Sequence, residues 1–294
     1  MEKSKVYIVS TDDRAVGARR CLEYFKLPDL TGKTVFIKPN FNTADPAPGS
    51  THNDTLAMIF KAVCEKNPKK IILGERSGPA VVAEVFKEKC LAPLCTEYGV
   101  DFLDLEQLPP DGWVDFIRED LHWPSGFKVP RTLTEADAVI ATCCLKTHAY
   151  GGVFSNALKL AVGLTPKDFS TLHNSPDMRS MIAEINLAYT PDLVIADAVE
   201  VFTDGGPMSG VRFNANLMFA GTDRIALDAV GLAILKSIGS NSAIMERPIF
   251  RQDQIVRAVE LQLGIASPTD IELITDDDKS ERDISNIRKI LLNG

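Results

Sequence analysis

One apolar run, residues 138–144 with the sequence AVIATCC, constrains the fold of this chain more than any other segment. The run has the length of a β-strand, and its residues do not alternate between apolar and polar. Such a run is typical of a parallel strand that is covered on both faces, because neither face contacts water. We therefore expect a central buried strand here, with the polar residues that follow it at its carboxyl end.

The same kind of run recurs along the chain and alternates with helical patterns. Further strands are predicted at 5–10, 34–37, 70–73, 100–105, 191–198, 214–220 and 271–274. Apolar residues at helical spacing predict helices at 14–25, 54–65, 81–98, 177–187 and 225–236, and a final large helix at 252–263. This alternation predicts an α/β fold, with a mainly parallel sheet and helices on both faces.

The domain organisation follows from the same pattern. We expect a single domain over residues 1–294, with two lobes around a cleft left open as an alternative arrangement. The pattern dissolves at 109–130, an irregular excursion that holds both tryptophans. Its aromatic residues are predicted to serve packing.

Polar side chains follow three of the predicted strands directly. Lys38, Asn40 and Asn42 come after the strand at 34–37, Arg76 after the strand at 70–73, and Lys146 and His148 after the run at 138–144. Because ligands of open α/β sheets bind beyond the carboxyl ends of the strands, we expect these groups at one cationic cleft. Ordinary turn chemistry explains the asparagines equally well.

A glycine turn and a predicted helix follow His148. Gly151 and Gly152 allow a tight turn, and Ser155 or Asn156 is expected to cap a helix that carries Leu158 and residues 160–164. The exposed N–H groups at the start of that helix would attract an anion.

Asp228 is an acid on the otherwise apolar first turn of the helix at 225–236. A buried carboxylate requires a partner. We expect Lys159 or Arg224 to pair with it.

Composition excludes several classes of protein. The 294 residues carry a formal net charge of -8, which argues against a general nucleic-acid or membrane-surface binder. No apolar segment is long enough to span a membrane, and the amino terminus resembles no signal peptide, so a cytoplasmic location is expected. The six cysteines form no C-x-x-C pair and are expected to be free, buried thiols, with no internal iron–sulfur cluster.

Two functions fit these observations. In the first, the chain is an enzyme for a small anionic carboxylate or phosphate metabolite, with Lys146, His148 and Lys159 as catalytic residues. His148 would move a proton near neutral pH. The substrate-binding candidates are Lys38, Asn40, Asn42, Arg76 and Asn156.

The second function is a metal-binding or iron–sulfur-linked redox accessory protein without substrate turnover. Its candidate ligands are His148 and Asp197, with His52 and His173 as further donors, although none has a helix-face ligand spacing. The identity of a cofactor, including a metal ion, stays open. A homo-oligomer or a redox partner also stays open.

Several blocks of the sequence together resemble one protein family. They are VFIKPNFN, ADAVIATCCLKTH, SNALKLAVGL, PDLVIADA, GGPMSG and GTDRIALDAVG, over residues 33–239. In this order and spacing they resemble the family known as domain of unknown function 362 (DUF362). Some relatives carry fused ferredoxin-like cysteine clusters, and the chain resembles the stand-alone form without that module.

A fainter similarity is to lactate racemases that use a nickel-pincer nucleotide. His148, Gly152, Lys159 and Gly163 lie roughly as a histidine, a glycine, a lysine and a glycine do in those enzymes, with the lysine displaced by one position. The similarity implies that His148 is a proton-transfer base or a metal-facing residue, and that Lys159 holds an anion.

Overall fold

The computed structural model describes residues 3–294, except for the side chain of Phe169. The strands are β1 (Ser4–Ser10), β2 (Thr34–Lys38), β3 (Lys70–Glu75), β4 (Val100–Asp104), β5 (Trp113–Phe116), β6 (Phe127–Pro130), β7 (Ala138–His148), β8 (Val153–Ser155), β9 (Leu193–Gly205), β10 (Gly210–Phe213), β11 (Leu217–Gly221) and β12 (Ile271–Ile274). The helices are α1 (Arg14–Phe25), α2 (Asn53–Cys64), α3 (Val82–Glu88), α4 (Leu91–Tyr98), α5 (Arg131–Thr134), α6 (Phe169–His173), α7 (Met178–Ile185), α8 (Arg224–Ile238), α9 (Ser242–Met245), α10 (Asp253–Glu260) and α11 (Asp278–Asn293). Short 3-10 helices include Lys159–Leu164.

A large sheet has the strand order β12-β1-β11-β9-β7-β2-β3-β4, with β8 paired to β7 and β10 paired to β9. The pairs from β9 through β7, β2 and β3 to β4 are parallel. The strand β11 runs antiparallel to both of its neighbours. The predicted α/β fold with a mainly parallel sheet is therefore confirmed.

The sheet is covered on both faces because successive side chains of its strands point to opposite sides. On one face, Val35 and Ile37 of β2 pack in a cluster with residues of α1, α2, α3 and α4. On the other face, Cys143 and Leu145 of β7 pack in a cluster with residues of α8, α10 and α11. The predicted helices on both faces are thus present.

The irregular excursion contains the hairpin β5–β6. Trp123 is buried in the cluster around α7, and its Nε1 donates to the carbonyl of Met181 at 3.0 Å. The aromatic packing predicted for this segment is therefore present at Trp123.

All six cysteines are free. Burial of all six was expected, but Cys64 and Cys90 are exposed. Cys64 is the last residue of α2 and Cys90 immediately precedes α4, so both lie at helix ends. Over residues 3–294, no helix has the combination of length and apolar character that a membrane crossing requires.

Candidate functional site

A cavity of about 370 Å³ opens at the carboxyl ends of β2, β3 and β7. These three strands are adjacent and parallel in the sheet, which is why residues far apart in sequence meet there. The volume falls within the range of small-molecule sites. The lining includes Lys38, Asn40, Phe41, Asn42, Glu75, Arg76, Lys146, His148, Tyr150, Ser155, Asn156, Lys159, Leu160, Val162, Gly163, His173, Pro207 and Met208.

Every residue predicted to be catalytic or substrate-binding lines this cavity. They are Lys38, Asn40, Asn42, Arg76, Lys146, His148, Asn156 and Lys159. Asp197, the other metal-ligand candidate, is absent from the lining. Its carboxylate is buried and pairs with Nε of Arg14 at 2.7 Å. The structure therefore does not bring His148 and Asp197 to one site.

The charge of the cavity lining is strongly positive. Lysine and arginine contribute four cationic side chains, whereas Glu75 is the one carboxylate among the lining residues. Nζ of Lys38 lies 2.5 Å from Oε1 of Glu75 and also donates to the carbonyl of Pro39. Glu75 neutralises Lys38, so the excess positive charge resides on Arg76, Lys146 and Lys159.

Glu75 also fixes the backbone around the cavity. Its Oε2 accepts from the N–H of Phe41 at 2.8 Å, and its Oε1 accepts from the N–H of Arg76 at 2.9 Å. Burial raises the pKa of this carboxyl, while Lys38 and the two N–H groups act in the opposite direction. Glu75 was not among the site residues predicted from sequence, although it ends β3 just as Lys38 ends β2.

Gly163 leaves room for the ion pair at the cavity wall. A Cβ placed on Gly163 would lie 2.6 Å from Oε1 of Glu75 and 2.7 Å from Nζ of Lys38. Such contacts are shorter than real Cβ atoms make. A glycine is therefore required for the close approach of the 3-10 helix to this pair.

Lys146 is held by neutral hydrogen-bond acceptors. Its Nζ donates to Oδ1 of Asn40 at 2.8 Å and to the carbonyls of Pro48 and Gly49 at 2.8 and 2.6 Å. The side chain is 1% exposed, and burial lowers its pKa. Among the residues described, no carboxylate forms an ion pair with it, so its positive field extends into the cavity.

Arg76 ties β3 to the segment after the 3-10 helix. Its Nε donates to the carbonyl of Thr165 at 2.9 Å, and one of its terminal nitrogens donates to the carbonyl of Val162 at 2.5 Å. These acceptors are neutral. The guanidinium therefore shapes the cavity wall and adds to its positive charge.

Lys159 differs from the other cations, since within residues 3–294 no hydrogen bond or ion pair reaches its Nζ. It lies at the start of the 3-10 helix and is only partly exposed. Desolvation by the surrounding protein, and then repulsion from Lys146 and Arg76, lower its pKa to about 7. At neutral pH its amine is therefore divided between the ammonium and the free base.

His148 is 8% exposed, and its Nδ1 is buried without a hydrogen-bond partner among the described residues. Burial, together with the charges of Lys159 and Lys146, lowers its pKa far below the usual value. The neutral imidazole is thus its resting form.

Gly152 brings His148 and Lys159 together. A Cβ placed on Gly152 would lie 2.6 Å from Cε of Lys159 and 3.1 Å from Nδ1 of His148. Only a glycine leaves this space to both side chains. The next residue, Val153, has a φ of 62°, a left-handed conformation that is strained for a β-branched residue.

The asparagines differ in whether their side-chain amides already have hydrogen-bond partners within the protein. Asn156 donates from Nδ2 to the carbonyl of Leu227 at 2.9 Å and accepts from the thiol of Cys143 at 3.1 Å, so its amide serves the fold. Asn40 accepts from Lys146. Nδ2 of Asn42 is buried without a partner in the described part of the chain, which leaves it as the asparagine donor most suited to a ligand.

The helix predicted after the glycine turn is present only as the 3-10 helix Lys159–Leu164, and its predicted cap is wrong. Residues 153–155 form β8, which pairs with the end of β7, and only a 3-10 helix follows. Ser155 and Asn156 do not cap it. Instead, Oδ1 of Asp228 accepts from the N–H groups of Ala157 and Leu158 at 2.8 and 3.3 Å. These N–H groups, expected to attract an anion, are occupied by a carboxylate of the protein.

The predicted pairing of Asp228 with Lys159 or Arg224 is therefore also wrong. Besides the two N–H groups, Asp228 accepts from Nε2 of Gln254 at 2.9 Å. Arg224 donates to Asn186 at 2.9 Å. Burial raises the pKa of Asp228 to about 7, because three neutral donors offset only part of the desolvation.

Protein ligands for a metal ion are sparse in the cavity. No group of three or more His, Cys, Asp or Glu side chains in the described part of the chain could hold a metal ion. His173 lines the cavity beside His148, whereas His52 is the N-cap of α2. These side chains alone do not fit a protein-ligated metal such as nickel.

Some other residues of the cavity lining could hardly be predicted from the sequence. Pro207 and Met208 belong to the turn between β9 and β10, which reaches back over the end of β7. The N–H of Ala149 donates to the carbonyl of Gly206 at 3.3 Å. A glycine-rich turn indicates a loop, but its approach to β7 depends on the long pairing of β7 with β9.

Comparison of the whole fold finds distant structural neighbours. A crystal structure of a protein from Thermotoga maritima has a TM-score of 0.49 and 12% identity, and the match covers 78% of this chain. This chain spans 59% of the length of that protein. The lactate racemase apoprotein from Thermoanaerobacterium thermosaccharolyticum has a TM-score of 0.47 and 14% identity, with 97% of this chain and 86% of that chain covered. At these values neither neighbour carries an argument about activity.

The sequence comparisons are more specific about the family. No curated protein matches the chain. The sequence model of one family, described as domain of unknown function (DUF362), matches residues 35–233. This segment runs from β2 into α8 and contributes all eight predicted cavity residues. Because the match covers more than half of the sequence, the chain belongs to the DUF362 family.

Proposed function

We propose that the protein is an enzyme that binds a small carboxylate or phosphate in this cavity and transfers protons on it. The observation that carries the proposal is the charge imbalance of the lining, with four cationic side chains against Glu75. Among the described residues, no carboxylate forms an ion pair with Lys146 or with Lys159, and both line the cavity. In a partly enclosed site such charges attract an anion strongly, because water screens them poorly.

The cavity residues divide into two groups. Lys146 and Arg76 supply positive charge while neutral acceptors hold them in place. Asn42 offers an unpartnered N–H group to the ligand. Lys38 is balanced by Glu75, so its contribution is to shape the wall.

Lys159 and His148 are suited to proton transfer. With a pKa of about 7, the Lys159 amine exchanges a proton readily at neutral pH. A bound anion offsets the repulsion that His148 receives from Lys159 and Lys146, and so raises the pKa of the imidazole. His148 would therefore accept a proton more readily when the ligand is in place.

The metal-binding alternative has one observation in its favour, the buried and unpartnered Nδ1 of His148. A metal ion held there would need further ligands from its own substrate or cofactor. Metal content measured on the protein as purified distinguishes the two functions, since a stoichiometric metal lost in His148→Ala would favour the alternative.

The anion should bind more tightly below pH 7 than above it. Only the ammonium form of Lys159 attracts the anion, and that form is lost as the pH rises through its pKa of about 7. Calorimetric titration with 2-hydroxybutyrate, whose carboxylate stays ionised, should show affinity at about pH 6 that exceeds the affinity at about pH 8.5 by at least about tenfold.

Two variants serve as tests of this titration. Lys159→Met should bind weakly and without this pH dependence. Lys128→Met removes an exposed lysine that lies 3.3 Å from Asp115, and it should behave as the wild type. Equal affinity in the wild type and Lys159→Met at about pH 6 would contradict the assignment of the anion to this cavity.

A further inference from the structure

The amine of Lys159 has the surroundings of a nucleophile. It lines a partly open cavity of about 370 Å³, and no hydrogen bond or ion pair among the described residues holds its Nζ. Lys38 and Lys146, by contrast, each donate to defined acceptors. A lysine that served the fold alone would be expected to have such a partner, because an unpaired buried ammonium is costly.

The protonation state of Lys159 supports the same role. A lysine amine is nucleophilic only as the free base, and desolvation next to other cations is a recognised way of activating one. Burial and the charges of Lys146 and Arg76 lower the pKa of Lys159 to about 7. About half of the amine is therefore available for attack at neutral pH.

His148 lies where such a reaction needs a proton carrier. The ring and the end of Lys159 flank Gly152 from the same side, and Nδ1 of His148 has no partner among the described residues. A neutral imidazole can accept a proton at one nitrogen and donate one from the other. Addition of an amine to a carbonyl, followed by loss of water, requires both transfers.

We propose that Lys159 forms an imine with the carbonyl group of a short 2-oxo acid bound in the cavity. The inference rests on the proposed function and names the substrate class for the same site. The Lys159 nitrogen adds to the carbonyl carbon to give a carbinolamine. His148 and solvent carry the two amine protons to the carbonyl oxygen, the first to form the hydroxyl group of the carbinolamine and the second to release it as water. The step consumes one carbonyl and one amine, yields one imine and one water, and involves no change of oxidation state.

The positive charge of the cavity would attract the carboxylate group of a 2-oxo acid. When Lys159 is the free base, Lys146 and Arg76 stay in place at the cavity wall, because the carbonyls of Gly49 and Thr165 accept hydrogen bonds from their side chains. The carboxylate of a 2-oxo acid would therefore still be attracted while its neighbouring carbonyl meets the amine. A phosphate ester without a carbonyl group has no carbon at which that amine could form an imine.

Borohydride trapping tests the inference. The full-length protein is incubated with glyoxylate, 2-oxobutyrate or 2-oxoglutarate, reduced with sodium borohydride, and analysed by intact-protein and peptide mass spectrometry. We expect one reduced adduct per chain, located on Lys159, with a yield that rises as the pH passes through about 7. The control ligand 2-hydroxybutyrate, which has no carbonyl, should give none.

Variants separate a specific adduct from surface modification. Lys159→Arg and Lys159→Met, each checked for folding by thermal denaturation, should lose the adduct, whereas Lys128→Arg should keep it. An adduct spread over exposed lysines, and equal in the Lys159 variants, would overturn the inference.

Ligand stabilisation separates this inference from the proposed function. If 2-oxo and 2-hydroxy acids both raise the melting temperature of the wild type but no adduct forms on Lys159, the imine is wrong and anion binding stands. If none of these acids and no inorganic phosphate stabilises the protein, and no adduct forms, both proposals fail.

Discussion

Replacing His148 by alanine is expected to slow proton transfer on the bound ligand by a factor of about 10²–10⁴, the usual contribution of a general acid or base. The variant should still bind the anion, because the charges of Lys146, Arg76 and Lys159 remain. The measurement is the incorporation of deuterium from solvent into carbon-bound positions of a carboxylate that binds in the titration, followed by proton NMR.

A matched histidine provides the control. His52 lies outside the cavity lining, and its Nδ1 caps α2 by accepting from the N–H of Asp54 at 3.2 Å. His52→Asn retains a capping side chain and should leave the exchange rate unchanged. Exchange at the wild-type rate in His148→Ala would remove His148 from the mechanism.

Replacing Glu75 by alanine is expected to lower the free energy of unfolding by about 3–5 kcal/mol, the cost of breaking a buried ion pair by removing one partner. The substitution would leave the Lys38 ammonium without its carboxylate, and the N–H groups of Phe41 and Arg76 without their acceptor. Glu75→Gln retains one acceptor oxygen and should lose less. Urea unfolding at neutral pH measures these differences.

Asp101 on the neighbouring strand β4 is the control for Glu75. Its carboxylate lies 3.4 Å from Nζ of Lys70, but both side chains are largely exposed. Exposed pairs of this kind contribute at most about 1 kcal/mol, so Asp101→Ala should be nearly neutral. Similar losses in Glu75→Ala and Asp101→Ala would show that the Lys38–Glu75 pair does not hold the cavity wall.

The positions of the cavity residues could be predicted from sequence because they depend on topology. Lys38, Arg76 and Lys146 each follow an apolar run of strand length, and parallel strands place such residues at one edge of the sheet. Once the strands were identified, it could be predicted without knowledge of side-chain contacts that these three residues lie close together.

The partners of these residues could not be predicted, because they depend on loop conformation and on long-range packing. Lys146 is held by the carbonyls of Pro48 and Gly49, which only the path of the loop after β2 brings within reach. Asp228 caps the backbone at Ala157 and Leu158 from a helix about 70 residues further along the chain. Local propensity predicted a cap from Ser155 or Asn156 and contained no sign of this distant carboxylate.

The helix α11 was not predicted, although its sequence contains a helical pattern. The helix at 252–263 was expected to be the final large helix, whereas α11 (Asp278–Asn293) follows it and packs on the sheet through Ile284, Ile287 and Leu291. These three residues have helical spacing, but the acidic residues at 276–278 suggested a solvated loop. Asp277 in fact caps α11 by accepting from the N–H of Ser280.

The direction of the strand β11 could not be predicted from its sequence. Its apolar sequence identifies a buried strand but not its direction, since both directions bury the same side chains. The direction follows from its pairing between β1 and β9.

In the proposed function, a small anion binds beside Lys159, whose amine titrates near neutral pH. NMR of the protein with ¹⁵N-labelled lysine measures this directly, with the Lys159 amine signal assigned by its absence in Lys159→Met. We expect this amine to titrate at a pKa of about 7 in the free protein, and at a higher pKa when 2-hydroxybutyrate is added. Titration near the ordinary lysine value of about 10.4, with no response to the anion, would contradict it.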